Sequence, residues 1–447
     1  MTLKISEKAN LNYLAKVVKL TNLRKHPNAD RLQVVTVDGN NIITSLTAKD
    51  GDLYVYFPLE SALNKEFLSW SNAFEDKELN TDKEIKGFFN NKGRVRAVRL
   101  RSEKSEGYIV PVSAISDWIL FSIGKNFVFT EEHVNTEFDL IFNTVLCEKY
   151  INYVAIRKQA SENKKNQRKV VKEKKLIDNQ FHLHIDTTPL KKYIDNINPD
   201  DYIHISRKLH GTSFVVSNVL CRKPLKWYEK VLHKLGVNIV NTQYDLVYSS
   251  RKVIKNNVLD TSGKEHFYGY DLWGDIAKTL EEYLTAGLTF YGECVGYTKS
   301  GAYIQSGYDY GCEPGKFKTY IYRITLTNVN GKVFEFSTQQ VKDYCERFGL
   351  NSVPELYYGK AKNLFDIPVN EEWAQQFLEN LCNEYLEKDC GICVNSVPDE
   401  GVVLRREISD IDVYKLKSFR FFELESKQLD SDEVDLETQE SEEQIDA

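Results

Sequence analysis

The sequence predicts an α+β protein built from two folded parts. Three observations predict it. The first third reads as short strands with turns between them. A strongly basic stretch comes next. The long remainder mixes strand-like and helix-like patterns. The 447 residues suffice for two or three domains, and 42% hydrophobic with 28% charged residues fits a globular chain. No apolar run is long enough to cross a membrane, and the N-terminus lacks the apolar core of a signal peptide. Eight scattered cysteines favour reduced thiols in a cytoplasm, or in a host cytoplasm for a viral chain.

Leu14 to Leu20 and Leu32 to Val37 alternate as strands, with His26-Pro27-Asn28-Ala29-Asp30-Arg31 as a turn cluster between them. Asp38-Gly39 is a hairpin turn. Short strands of this kind suggest a small barrel over residues 1–150. Arg94-Val95-Arg96-Ala97-Val98-Arg99-Leu100-Arg101 reads as a strand. Arg94 and Arg96 would share one face and Arg99 and Arg101 the other, unless a bulge near Ala97 unites them. Either the strand is a solvated edge or its arginines track phosphates.

Residues 151–178 form a basic linker, with nine bases between Arg157 and Lys175 against Glu162 and Glu173. Residues 179–427 carry the mixed pattern. Tyr202 to Ile205 and Phe214 to Val216 are strand-like, Val341 to Phe348 and Glu371 to Leu386 are helical, and Pro398 and Gly401 bracket a turn into a strand. Residues 428–447 are an acidic tail expected to be disordered. Removing its nine acids from a net charge of −6 leaves +3, so the overall sign conceals a basic body.

Lys208, in Arg207-Lys208-Leu209-His210-Gly211, is the candidate nucleophile. A lysine is normally a charged ammonium and a poor nucleophile until desolvation or nearby cations favour its neutral form. Gly211 would let a phosphate or base approach the backbone. The tetrapeptide is a weak signal by itself. The ordered series downstream of it is stronger: Ser249-Ser250-Arg251, then Tyr291-Gly292-Glu293-Cys294-Val295-Gly296, Tyr320-Ile321-Tyr322-Arg323-Ile324, Glu400-Gly401 opening a strand, and Lys415-Leu416-Lys417 with two lysines on one face.

This series, over roughly residues 180–425, resembles the ordered motifs of the covalent nucleotidyltransferases: DNA ligases, RNA ligases and capping enzymes. His210, where the DNA ligases and capping enzymes carry Asp, resembles the RNA ligase branch. The passage from His26 to Leu32 resembles OB-fold modules, and Gly93 through Gly107 resembles the N-terminal OB module of nick-sealing RNA ligases. The resemblance implies an adenylyltransferase domain of antiparallel sheets with flanking helices behind an OB-like β-barrel. It implies an ATP-dependent RNA ligase, a monomer away from membranes, acting on RNA or an RNA-containing nicked duplex. A capping-type guanylyltransferase and an inactive RNA-binding protein are the alternatives. Too little sequence remains after Lys417 for the C-terminal OB module of a capping enzyme, and the retained Lys208, Glu293, Glu400, Lys415 and Lys417 disfavour an inactive protein.

By the same resemblance, Lys208 attacks ATP and carries AMP, and His210 and Gly211 shape the nucleotide site. Arg251 contacts ribose or phosphates, and Glu293 contacts ribose. Tyr322, ahead of Tyr320, stacks on adenine. Glu400 holds Mg²⁺ or Mn²⁺. Lys415 and Lys417 neutralise the α-phosphate and favour the neutral form of Lys208. Arg94, Arg96, Arg99 and Arg101 are the nucleic-acid candidates. Cys390-Gly391-Ile392-Cys393, with Cys382 upstream, lacks the further ligands of an ordinary zinc site. His182-Leu183-His184 is a surface or substrate-facing pair, and no P-loop is present.

Overall fold

A computed structural model of the chain describes residues 2–152, 176–255, 268–408 and 410–431. The basic segment 157–175 and most of the acidic tail lie outside them. The described residues form two compact units. One takes in residues 2–151 with Thr188–Asn196 and Phe419–Ser431; the other takes in residues 176–187 and Ile197–Ser418.

The first unit is built on antiparallel strands. Strands β1 (Ala15–Lys19), β4 (Leu53–Pro58) and β5 (Gly107–Pro111) form one sheet in the order β5, β4, β1, with Glu137–Phe138 beyond β1. Strands β2 (Leu32–Val37) and β3 (Asn40–Ser45) pair in a second sheet. The turn joining them has Asp38 and Gly39 both at positive φ (46° and 71°), the geometry that a tight two-residue hairpin requires. Strand β4 reads Leu-Tyr-Val-Tyr-Phe-Pro without polar alternation because both its faces are covered. Tyr54 and Tyr56 pack with Val18, Val35 and Ile109, while Val55 and Phe57 pack with Trp118 and Ile119 of helix α1 (Val112–Ile123).

The arginine run departs from the expected strand. Only Val98–Leu100 is a strand, in a hairpin with Glu103–Ser105. The His26 turn supports that hairpin: His26 bonds through Nε2 to the Leu100 carbonyl at 3.0 Å, and Asn28 donates to the Arg101 carbonyl at 3.0 Å.

The second unit holds two antiparallel sheets. The larger comprises β7 (Thr212–Arg222), β8 (Thr242–Ser249), β9 (Leu288–Gly296), β10 (Phe317–Thr327) and β11 (Val333–Glu335), in the order β8, β7, β9, β10, β11. One face packs on helices α2 (Leu272–Leu280) and α3 (Thr338–Phe348), burying Phe214, Phe290, Trp273, Ile276, Val341 and Cys345. The other sheet runs β12 (Glu355–Lys360), β6 (Tyr202–Arg207), β13 (Gly401–Glu407), β14 (Ile411–Lys417). Helix α4 (Trp373–Tyr385) falls where the periodicity of 371–386 places a helix.

Candidate active site

Lys208 leaves the end of β6, and its backbone N–H donates to the Gly401 carbonyl at 2.9 Å. This places it beside the β13–β14 hairpin, where Gly401 pairs in register with Lys417. Gly401 sits at φ 134°, and a Cβ there would fall 2.1 Å from the Leu416 carbonyl oxygen, so only glycine lets the two strands close at this point. Glu400, one residue earlier, is buried and meets both lysines: its Oε1 lies 2.7 Å from Lys208 Nζ and 3.3 Å from Lys417 Nζ. His210 Nδ1 stands 3.9 Å from the other oxygen. Burial pushes the Glu400 carboxyl up. Lys208, Lys417 and His210 outweigh burial and hold it below the ordinary carboxylate range. Lys415 shares the strand face of Lys417 two residues back and pairs in register with Val403.

The large sheet brings a second set together. Ser213, Glu293 and Tyr320 are register partners across β7, β9 and β10, so they share one face. Glu293 is buried and accepts from the Gly211 N–H at 3.2 Å and from Ser213 Oγ at 3.1 Å. A Cβ on Gly211 would lie 2.3 Å from the Cys294 carbonyl oxygen. In this structure Gly211 is therefore demanded by the approach of β9, a reason different from the expected approach of a ligand.

A register shift between Tyr291 and Gly292 makes the β9–β10 pairing step over Tyr322. Its hydroxyl meets His184 Nδ1 at 2.9 Å, and the Tyr291 hydroxyl donates to the His182 carbonyl at 3.1 Å. The segment carrying both histidines is not a strand; it crosses the sheet as irregular chain. It continues to Asp186, which Arg251 contacts through Nε at 3.2 Å and a terminal nitrogen at 2.8 Å, with Lys252 at 3.1 Å. Burial raises the Asp186 carboxyl, yet Arg251 and Lys252 bring it down to about 2. Tyr322 also lines a groove with His204, Lys342 and Glu355 that includes none of Lys208, Glu400 or Lys417. Tyr320, opposite Glu293, is thus the aromatic aligned with the Gly211 cluster.

Sequence reasoning does not single out Arg207, Asp399, Asp186, Tyr308 or Tyr310. Arg207 forms an ion pair with Asp399, next to Glu400. Its place beside Lys208 in a basic doublet is the one available signal. Cys393 donates a thiol hydrogen bond to the Cys390 sulfur, which favours the thiolate at Cys390. Among the described residues no group of three or more His, Cys, Asp or Glu is placed to hold a metal.

The four nucleic-acid candidates separate. Arg94 is fully enclosed, paired with Glu60 at 2.7 Å and Asp430 at 2.8 Å, and cannot present its guanidinium to a phosphate. Arg96 is half-buried against Asp430 at 3.3 Å and Glu75 at 3.5 Å. Arg99 is exposed but pairs with Glu423 at 2.9 Å, and Arg101 lies exposed at the hairpin turn.

Comparison with known proteins gives two domain matches. Residues 201–417 match the RNA ligase family, and residues 14–112 match an OB-fold domain family. No curated protein matches the chain. Among solved structures, a lysine-to-methionine variant of Naegleria gruberi RNA ligase with AMP and Mn is similar at 15% identity and TM-score 0.52, over 92% of this chain and 98% of that one. A lysine-to-alanine variant with ATP and Mn gives 14% and 0.54, over 94% and 99%. The same ligase with PPi gives 14% and 0.53, over 93% and 99%. These likenesses show the fold: an N-terminal OB-fold module with a nucleotidyltransferase-type ligase domain. Residues 201–417 thus form an RNA ligase domain, and the chain is a ligase.

Proposed function

We propose that the chain is an ATP-dependent RNA ligase that joins a 3′-hydroxyl to a 5′-phosphate, with Lys208 as its nucleophile. The observation that carries the residue assignment is the convergence of Lys208, Lys417 and His210 on the buried Glu400. In the first step Lys208 Nζ, having lost its proton, attacks the α-phosphorus of ATP. A nitrogen–phosphorus bond forms and pyrophosphate leaves. In the second, an oxygen of an RNA 5′-phosphate attacks the same phosphorus and Lys208 departs. In the third, a 3′-hydroxyl attacks the activated 5′-phosphorus and AMP departs. Lys417 and Lys415 supply cations along one strand for the negative charge that moves through these steps.

The remaining roles rest on position. Glu293 and Gly211 shape the ribose side of the site, with Arg251 supplying a cation for ribose or phosphate. Tyr320 gains ground over Tyr322 as the adenine-stacking ring because it shares the face of Glu293. Glu400 Oε2 is buried and has no hydrogen-bond partner among the described residues, so it can take a divalent cation or its water. One protein carboxylate completed by phosphate oxygens and water is the usual arrangement for Mg²⁺ or Mn²⁺. That cation would neutralise phosphate charge when bound. Arg99 and Arg101 are the arginines left to meet an RNA-containing duplex. No described helix is long and apolar enough to cross a membrane. All eight cysteines are free thiols, in keeping with a reducing cytoplasm.

The test is retention of label after denaturation, using the full chain with α-labelled ATP or GTP and a divalent metal. ATP labels the protein and Lys208→Ala does not. Label retained by Lys208→Ala, or label from GTP alone, overturns the assignment.

A further inference from the structure

Tyr308 and Tyr310 belong to none of the motifs that define the nucleotide site, yet they touch both loops that carry its charges. Each is buried to 1% exposure, and their rings stack at 6.0 Å and 28°. The Tyr310 hydroxyl accepts the backbone N–H of His210 at 2.6 Å. The Tyr308 ring meets the His210 imidazole edge to face, with centroids 4.9 Å apart and planes at 79°. Its hydroxyl donates to the Pro398 carbonyl at 2.7 Å, two residues before Glu400. One aromatic pair therefore ties the Lys208 loop to the Glu400 turn.

The pair is itself held firmly. Asp309, between the two tyrosines, is buried and accepts the N–H groups of Gly311, Val394 and Asn395 at 2.7, 2.9 and 2.8 Å. A phenylalanine would fill the same space as either tyrosine, so filling volume does not account for the hydroxyls. The specific work is orientation. Tyr310 fixes where the His210 backbone lies. Tyr308 fixes the plane of its imidazole, whose Nδ1 is 3.9 Å from Glu400. An aspartate at position 210 would have no ring for Tyr308 to orient, so the histidine and the tyrosine form a matched set.

We propose that Tyr308 and Tyr310 are positioning residues for lysyl-AMP formation, acting through His210. This rests on the reading of Lys208–Gly211 as the nucleotide loop. The experiment measures the single-turnover rate of labelled AMP transfer from ATP to the full chain, at several ATP concentrations. It compares Tyr310→Phe, Tyr308→Leu, His210→Ala and the double variant Tyr308→Leu/His210→Ala. Losing one buried acceptor lowers the Tyr310→Phe rate at saturating ATP by about tenfold. Because Tyr308 acts through His210, the double variant is no slower than His210→Ala alone. Tyr308→Phe keeps the ring and retains coupling to position 210, which preserves the test if Tyr308→Leu does not fold. A wild-type rate in Tyr310→Phe, or additive losses at 308 and 210, overturns the proposal. Labelling that survives Lys208→Ala instead overturns the site reading beneath it.

Discussion

Asp399 lies between two demands. It pairs with Arg207 and precedes Glu400, yet it is only 6% exposed. Burial lifts its carboxyl from 3.8 to about 7. Arg207 pulls the other way, and Cys390 and Glu400 add to the rise. Because the folded value stands above the unfolded one, the native state favours the protonated form. The resulting stability is complete below 3.8 and is lost as the pH rises through about 7. Asp399→Asn has no such titration. The melting temperature of the wild type minus that of the variant therefore falls between about pH 4 and about pH 7. A difference that stays flat or grows would show that Arg207 dominates the site.

At the scale of elements, legibility came from locality. The Asp38-Gly39 turn is written in two adjacent residues, and the β2–β3 hairpin closes around it as expected. The helix read from Val341 to Phe348 begins three residues earlier, at Thr338, where the Ser337 hydroxyl caps it by accepting the Gln340 N–H at 3.2 Å, and it ends at Gly349. Most of the ordered motifs fall at strand ends, while Tyr320–Ile324 lies inside β10. Their joining was not legible. Lys208 and Glu400 meet only because β6 and β13 are neighbours in one sheet. Arg94 read as a surface strand residue because nothing near it in sequence reveals Asp430, 336 positions away. Tyr308 and Tyr310 escaped notice for the same reason.

The tight fit of β9 behind the Lys208 loop gives a test of that architecture. In Gly211→Ala the new Cβ would fall 2.3 Å from a carbonyl oxygen and 2.8 Å from Val295 Cγ1, so β7 and β9 must separate. Overpacking of this kind costs about 1–3 kcal/mol. It also moves the N–H that Glu293 accepts. Denaturant unfolding should show that loss together with slowed adenylylation. Wild-type stability would mean that the strands yield freely and that Gly211 is needed only for ligand approach.

At the scale of the whole molecule, the C-terminal helix belongs with the N-terminal unit. Helix α5 (Phe419–Asp430) buries Phe419, Phe421 and Leu429, and its Ser426 carbonyl and Asp430 carboxylate hold the enclosed Arg94. The tail predicted to be disordered from residue 428 thus has helical residues to Asp430, and a simple cut at residue 150 would divide the first unit. Truncation after Ser418 removes Ser426 and Asp430 from Arg94 and leaves a buried guanidinium with Glu60 and the Tyr150 ring. Breaking a buried pair costs about 3–5 kcal/mol, enough to unfold a marginal unit. Truncation after Ser431 removes only the residues beyond the helix and keeps every one of these contacts. The two truncations are compared by limited proteolysis of residues 1–151, with labelling by α-labelled ATP as the control for the Lys208 site. The shorter chain is cut rapidly in the first unit and loses RNA sealing before it loses AMP transfer, while the longer chain matches the full protein in both. Equal resistance of the two truncations would show that Arg94 finds other partners, and that the helix is an appendage to the OB-fold module instead of part of it.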